Sequence, residues 1–189
     1  MMRVAIAILA AGKAARFGRQ KLLAAWRGRP LLEYALRASR ESCECRVLLV
    51  TGEEPFVDLA ARYADRVVHN PRFADGIGTS IAAAAKACDS TTDALVIVLG
   101  DQLLVTADHL RALMTTWDGE EGGIVATSYA DTRGPPVLFG SAYFSELAAL
   151  HDDSGAKRIL RAHAKRVRTV TFEPAAVDVD TPDDLAGLD

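Results

Sequence analysis

Residues suited to phosphate chemistry concentrate in three short stretches of the chain. The first runs Leu9-Ala10-Ala11-Gly12-Lys13-Ala14-Ala15-Arg16-Phe17-Gly18-Arg19-Gln20-Lys21-Leu22. Small residues and glycines let a backbone approach a ligand closely, and turn N–H groups can cradle phosphate oxygens. Arg16, Arg19 and Lys21 add cations to the same loop. It is not a Walker A loop, because Gly18 is followed by Arg19 where that motif has Lys and then Ser or Thr. On residue type alone, Arg16 and Lys21 suit solvated surface cations as well as phosphate ligands. The second stretch is Leu99-Gly100-Asp101-Gln102. Magnesium takes one or two carboxylates together with phosphate oxygens and water, and Asp101 can supply one. A turn-forming Asp would look the same. The third is Val177-Asp178-Val179-Asp180-Thr181-Pro182-Asp183-Asp184-Leu185. Asp178 and Asp180 share a side if extended. Thr181 and Asp184 fit a helix-capping pair around Pro182, so metal binding and capping are both open here.

Other chemistries lack their residues. No Gly-x-Ser-x-Gly elbow occurs, and His69, His109, His151 and His163 do not fall at metal-ligand spacings. They read as structural or solvent-facing, with His109 near the start of a helix and His163 near the end of one. Gly76-Ile77-Gly78 is no dinucleotide fingerprint, since Ile81 stands at the third glycine position. The formal net charge of -3 argues against a nucleic-acid footprint, so an anionic ligand must be held by a few placed cations. Cys43, Cys45 and Cys88 are too few and too odd in number for a disulfide framework. They read as thiols of a reducing compartment, with Cys43 and Cys45 at the surface. No apolar run approaches membrane-span length, and Gly12 to Lys21 suits a site better than a signal-peptide cleavage region. A cytoplasmic protein is expected.

Positioning these stretches requires alternating strands and helices. Val4 to Leu9, Val47 to Val50 and Leu95 to Leu99 are continuous apolar runs, as strands buried on both faces should be. Ile124 to Ala126 is a weaker fourth, and Val67-Val68 adds a short one. Pro30 suits the first turn of a helix whose apolar face is Leu31, Leu32, Ala35 and Leu36. Phe56, Leu59, Ala60 and Tyr63 mark another. Thr106 caps a third, with Leu110, Leu113, Met114 and Trp117 at helical spacing. Ser154 is placed to cap a helix carrying Ile159 and Leu160. Gly134-Pro135-Pro136 is expected to break any helix or central strand. The order implies one α/β domain over residues 1–189, Rossmann-like, with three α/β/α layers and a mostly parallel sheet. Ligands then bind at the carboxyl ends of the strands.

Taken together the stretches resemble the MobA-like NTP transferase family, and within it the molybdenum cofactor cytidylyltransferases. Leu9 to Lys21 resembles the signature L-A-A-G-x-S-x-R-x-G-x-x-K. Asn70 to Ile81 is similar to an acceptor-side segment before a helix, and Leu99 to Gln102 to a metal-binding G-D-Q. Pro136 to Phe139, Asp153 to Lys157 and Asp178 to Leu185 resemble later elements. The departures are Ala14 for the usual Ser, Leu103 for Pro, Ala84 for Gly, an unusual Asp152-Asp153-Ser154 pattern, and no His before Pro136.

The resemblance implies a nucleotide-diphospho-sugar transferase-like fold and transfer of an NMP group from a nucleoside triphosphate to a phosphate-bearing acceptor. Arg16, Lys21 and Asp101 would be catalytic. Leu9, Ala10, Ala11, Gly12, Arg16, Lys21, Ser80, Gly100 and Asp101 would hold the nucleotide, and Asn70, Gly76, Gln102 and Pro136 the acceptor. Asp101 and Asp180 would bind Mg²⁺, with Asp178 the rival second ligand. Ala10-Ala11-Gly12 favours CTP over GTP, since guanylyl relatives carry Ala-Gly-Gly. The implied acceptor is molybdenum-loaded molybdopterin, with a molybdoenzyme as possible recipient of the product. The same residues also suit another acceptor, a sugar or polyol phosphate, and a non-catalytic carrier or chaperone for a nucleotide or cofactor.

Overall fold

The computed structural model describes residues 2–12, 21–53, 56–177, 179 and 181–188, without the side chains of 182 and 183. Nine strands and seven helices are described. The strands are β1 (Val4–Ala10), β2 (Ala25–Trp26), β3 (Arg29–Pro30), β4 (Arg46–Thr51), β5 (Arg66–His69), β6 (Ala94–Leu99), β7 (Ile124–Tyr129), β8 (Thr132–Gly140) and β9 (Val167–Thr171). The helices are α1 (Leu31–Ser42), α2 (Val57–Tyr63), α3 (Ile77–Ala87), α4 (Ala107–Thr116), α5 (Phe144–Ala148), α6 (Lys157–Ala162) and α7 (Pro182–Ala186).

The main sheet has seven strands in the order β5-β4-β1-β6-β8-β7-β9, and β2 and β3 form a small separate hairpin. β1 pairs in parallel with β4 and β6, and β4 with β5. β8 runs antiparallel to both its neighbours, and β7 pairs in parallel with β9. The sheet is therefore mostly parallel with one reversed strand, as an α/β fold requires.

Side-chain alternation explains why the strand sequences are continuously apolar. Ile6, Ile8, Val47, Leu49, Val96 and Val98 face one way and pack with Leu32 and Leu36 of α1, Leu59 of α2 and Leu110 and Leu113 of α4. Ala5, Ala7, Leu9, Leu48, Val50, Leu95 and Ile97 face the other way, against Ile81 and Ala84 of α3, Leu147 of α5 and Ile159 and Leu160 of α6. Each fully buried Leu or Ile contributes roughly 1.5–3 kcal/mol. A third cluster joins Trp26 of the hairpin, Leu31, Leu103 and Val179, with Leu185 and Leu188 packed against it. It brings the C-terminal segment onto the loop that follows β6.

Capping follows the sequence in two of three places. The Thr106 hydroxyl accepts from the His109 N–H at 3.2 Å. Thr181 and Asp184 cap reciprocally: the Thr181 N–H donates to the Asp184 carboxylate at 2.7 Å, and the Asp184 N–H to the Thr181 hydroxyl at 3.2 Å. Ser154 does not cap α6, because its hydroxyl donates to Asp152 Oδ1 instead. Pro30 ends β3 and precedes α1 rather than entering its first turn.

Three further features depart from expectation. Gly134-Pro135-Pro136 lies inside β8, which is a central strand. The β7–β8 register jumps from Ala126↔Val137 to Thr127↔Gly134, and pairing with β6 stops at Ile97↔Val137. The prolines, joined by a cis peptide bond, thus occupy a bulge where no ladder N–H is needed. β9 is an edge strand with only Val167 and Val170 half-buried, too weak an alternation to stand out. Finally, Cys43 and Cys45 are joined as a disulfide, not separate surface thiols. Extended backbone at Cys43 leaves the Cα atoms 5.1 Å apart, within bridging range. Cys88 remains a thiol, and burial pushes its pKa up to about 11. Among the described residues no helix is long and apolar enough to cross a membrane.

Candidate active site

From β1 the chain moves outward to β4 and β5, then crosses back to place β6 on the other side of β1. Such a reversal opens a crevice at the carboxyl ends of the strands. A cleft of about 410 Å³ lies there. It is lined by Leu9, Ala11 and Gly12 from the end of β1, Lys21 and Leu22 beyond, and Leu99 and Asp101 from the end of β6. Its opposite wall is Phe73, Ala74, Gly76, Ile77 and Ser80, with Asp153 above.

The charged pair of the cleft is assembled by topology. Lys21 Nζ donates to Asp101 Oδ2 at 2.9 Å, across 80 residues of sequence. Their side chains are 11% and 28% exposed, so the pair is screened from bulk water without being sealed from it. Gly100 makes the close approach possible. Its N–H donates to the Leu9 carbonyl at 2.9 Å, and a Cβ there would sit 3.0 Å from that oxygen. Asp101 thus leaves β6 beside the end of β1.

The opposite wall depends on buried hydrogen bonds and glycine. Asn70 Nδ2 donates to the Thr79 hydroxyl at 2.9 Å and the Ser80 hydroxyl at 3.0 Å, while its Oδ1 accepts from the Arg72 N–H at 3.0 Å. The loop between β5 and α3 is thereby pinned to the first turn of α3. Gly76 has φ of +124°, and a Cβ there would lie 2.5 Å from Asp153 Oδ1. The Gly78 N–H donates to the Asp152 carbonyl at 2.9 Å. The Ser154 hydroxyl and N–H bond the Asp152 carboxyl and hold it below the usual carboxylate range.

Of the residues selected from sequence, Leu9, Ala11, Gly12, Lys21, Gly76, Ser80 and Asp101 line the cleft together. Ala10 points into the core instead, and Gly100 underlies Asp101 without lining the cleft. Asn70, Gln102 and Pro136 are buried and spend their polar atoms inside the protein. Gln102 Nε2 donates to the Pro135 carbonyl at 2.9 Å, and the Pro136 carbonyl accepts from Thr127 Oγ1 at 2.7 Å. Arg16, Arg19, Asp178 and Asp180 lie outside the described residues. Sequence reasoning did not select Phe73, Ile77 or Asp153 as site residues. The lone aromatic in the loop from Asn70 to Gly76, and an Asp just before Ser154-Gly155, were the available signals.

A divalent cation fits the described donor set in one way. Among the described residues no three His, Cys, Asp or Glu side chains converge on a metal cage. One carboxylate at the mouth of a cleft that could admit phosphates instead matches the habit of magnesium and its relatives.

The MobA-like NTP transferase domain family matches residues 6–167. The chain belongs to this family. As a MobA-like NTP transferase it is a nucleotidyltransferase. It is 26% identical to the molybdenum cofactor cytidylyltransferase of Escherichia coli, over 94% of this chain and 91% of the relative. It is 27% identical to the purine catabolism protein PucB of Bacillus subtilis, over 93% and 91%. The crystal structure of Rv0371c from Mycobacterium tuberculosis superposes with a TM-score of 0.82 at 28% identity, covering 99% of this chain and 98% of that one. Rv0371c has also been solved in complex with manganese.

Proposed function

We propose that this nucleotidyltransferase moves CMP from CTP to the phosphate of molybdenum-loaded molybdopterin, with Mg²⁺ as its cation. The observation that carries the reading is the Lys21–Asp101 pair at the carboxyl ends of β1 and β6. It puts one cation for phosphate and one carboxylate for metal in the same cleft. An acceptor phosphate oxygen attacks the α-phosphorus in line. The new P–O bond forms there as the bond to the bridging oxygen of the β-phosphate breaks, and pyrophosphate leaves. The acceptor phosphate is already ionised near neutral pH, so no general base is needed. Positioning and charge neutralisation supply the rate.

A bound divalent ion supplies charge neutralisation on the phosphate oxygens. Asp101 would hold it, with Asp180 as second ligand. Val179 packing in the cluster that contains Leu103 supports this, since it draws the C-terminal segment toward the Asp101 loop. Lys21 and Arg16 would neutralise charge on the α-phosphate and the leaving group. The backbone of Leu9 to Gly12 would face the nucleotide, with the Ala11 methyl narrowing the base side in favour of CTP. The manganese-bound relative supports a divalent cation, and the Escherichia coli relative supports cytidylyl transfer.

A second reading keeps the chemistry and changes the acceptor or base. It is favoured by the commitment of Asn70, Gln102 and Pro136 to internal hydrogen bonds. Acceptor choice then falls to Phe73, Ile77 and Asp153. The test is pyrophosphate release from CTP, GTP, ATP and UTP with Mg²⁺ and, in separate reactions, molybdenum-loaded molybdopterin, a sugar phosphate or a polyol phosphate. Release with CTP alone is expected. Release with GTP alone would discard the base assignment. Release only with a sugar or polyol phosphate would discard the acceptor.

A further inference from the structure

Two buried polar side chains outside the cleft have no part in the chemistry above. Thr127 on β7 is 0% exposed, and His109 on α4 is 4% exposed. Burying such groups is costly unless each finds a partner. Their partners lead step by step toward Asp101.

The path begins at the β8 bulge. Pro135 and Pro136 have no N–H to give, so only their carbonyls can tie this stretch down. Thr127 Oγ1 donates to the Pro136 carbonyl at 2.7 Å. Gln102 Nε2 donates to the Pro135 carbonyl at 2.9 Å, and Gln102 Oε1 accepts from the Leu99 N–H at 3.3 Å. Gln102 is therefore braced between the bulge and the end of β6, and the turn so closed holds Gly100 and Asp101. The one proton of Thr127 is spent on Pro136, so the 2.8 Å contact from His109 Nε2 must be a donation to Thr127. The His109 ring stacks on Phe172 with centroids 4.3 Å apart. Burial holds its pKa down at about 4, which leaves a neutral ring protonated on Nε2.

We propose that His109 and Thr127 are positioning residues for the Asp101 carboxylate, acting through the two carbonyls of the Pro135–Pro136 bulge and through Gln102. The inference rests on Asp101 being a metal ligand. The two side-chain bonds hold both carbonyls of the bulge, and Gln102 carries that restraint to the backbone next to Asp101. The two proline carbonyls of this central strand each accept from a side chain earlier in the sequence, Pro135 from Gln102 and Pro136 from Thr127.

The test is Mn²⁺ binding to the full chain in the presence of a nucleoside triphosphate, followed by electron paramagnetic resonance below the unfolding temperature of each variant. Thr127→Val keeps the shape and removes the hydroxyl. It should weaken Mn²⁺ binding on the order of tenfold. Thr127→Ser should restore binding, and His109→Phe, which keeps the stacking, should weaken it by about threefold. A purely structural role would lower the melting temperature of Thr127→Val and leave Mn²⁺ affinity per folded molecule unchanged, and that result overturns the proposal. If Thr127→Val does not fold, unchanged affinity in His109→Phe overturns it equally. Asp101→Ala separates the two claims. Wild-type Mn²⁺ binding in that variant would mean the metal assignment is wrong. Its loss there, with no change in the Thr127 and His109 variants, would reject only the positioning role.

Discussion

The two walls of the cleft are built from similar parts and present opposite surfaces. Each is backed by three buried polar residues: Asn70, Thr79 and Ser80 on one side, Gln102, Thr127 and His109 on the other. The first set is local, with Asn70 reaching residues nine and ten positions along the chain. Its hydrogen bonds close on themselves, and the face toward the cleft is Phe73, Ala74, Gly76 and Ile77, with Ser80 itself at the surface of the wall and Asp153 beside it. The second set is long-range, with Gln102 reaching 33 residues to Pro135. It backs a wall that presents a carboxylate and an ammonium. Under the proposed function, the first wall, apolar but for Ser80 and Asp153, would select shape and the second would carry the charge chemistry.

Substitutions should separate the walls, and the largest effect belongs to the charged one. Asp101→Ala should lower kcat by about a thousandfold, since metal-borne charge stabilisation is worth several kcal/mol. Lys21→Met should cost roughly a hundredfold in kcat, the scale of one electrostatic donor at a reacting phosphate. Both are read by pyrophosphate release, and near wild-type turnover in either would erase the distinction between the walls. On the apolar side, Gly76→Ala should cost about 1–3 kcal/mol of stability in denaturant unfolding. Its φ of +124° and the Asp153 contact both resist a side chain. Mn²⁺ affinity of the folded variant should not change. If it does, the walls are mechanically coupled.

The last prediction is a pH dependence of stability. His109 has its pKa lowered from 6.5 to about 4 by burial. The folded state thus holds the ring neutral where the unfolded chain already binds a proton. Its contribution is complete above pH 6.5 and is lost as pH falls toward about 4. Stability from denaturant unfolding should fall as pH is lowered over that range in the wild type, and fall less in His109→Phe.

The parts of the molecule legible in the sequence are those where neighbouring residues share one cause. β1, β4 and β6 read as strands because both faces are covered, so every position is apolar. Thr106, and Thr181 with Asp184, read as caps because donor and acceptor are three residues apart. β8 did not, because Pro135 and Pro136 signal a break unless the register jump beside Thr127 is known. Ser154 did not, because the Asp152 carboxylate outcompetes the helix for its hydroxyl. Lys21 and Asp101 were identifiable one at a time from their loops, and their meeting followed only from β1 lying beside β6. Asn70 and Gln102 have polar side chains suited to a ligand, yet burial turns both inward. Phe73, Ile77 and Asp153 were passed over because their local signals, an aromatic in the loop from Asn70 to Gly76 and an Asp before Ser154-Gly155, acquire meaning only once the fold brings both loops to the cleft.

The central claim is that the bond between the α- and β-phosphates breaks and the α-phosphate moves to the acceptor. The direct measurement uses CTP labelled on its α-phosphate, with Mg²⁺ and molybdenum-loaded molybdopterin, and separates the products. The account predicts label in the acceptor product and unlabelled pyrophosphate released in equal amount. Label appearing only as free CMP, or an acceptor carrying the γ-phosphate instead, would contradict it.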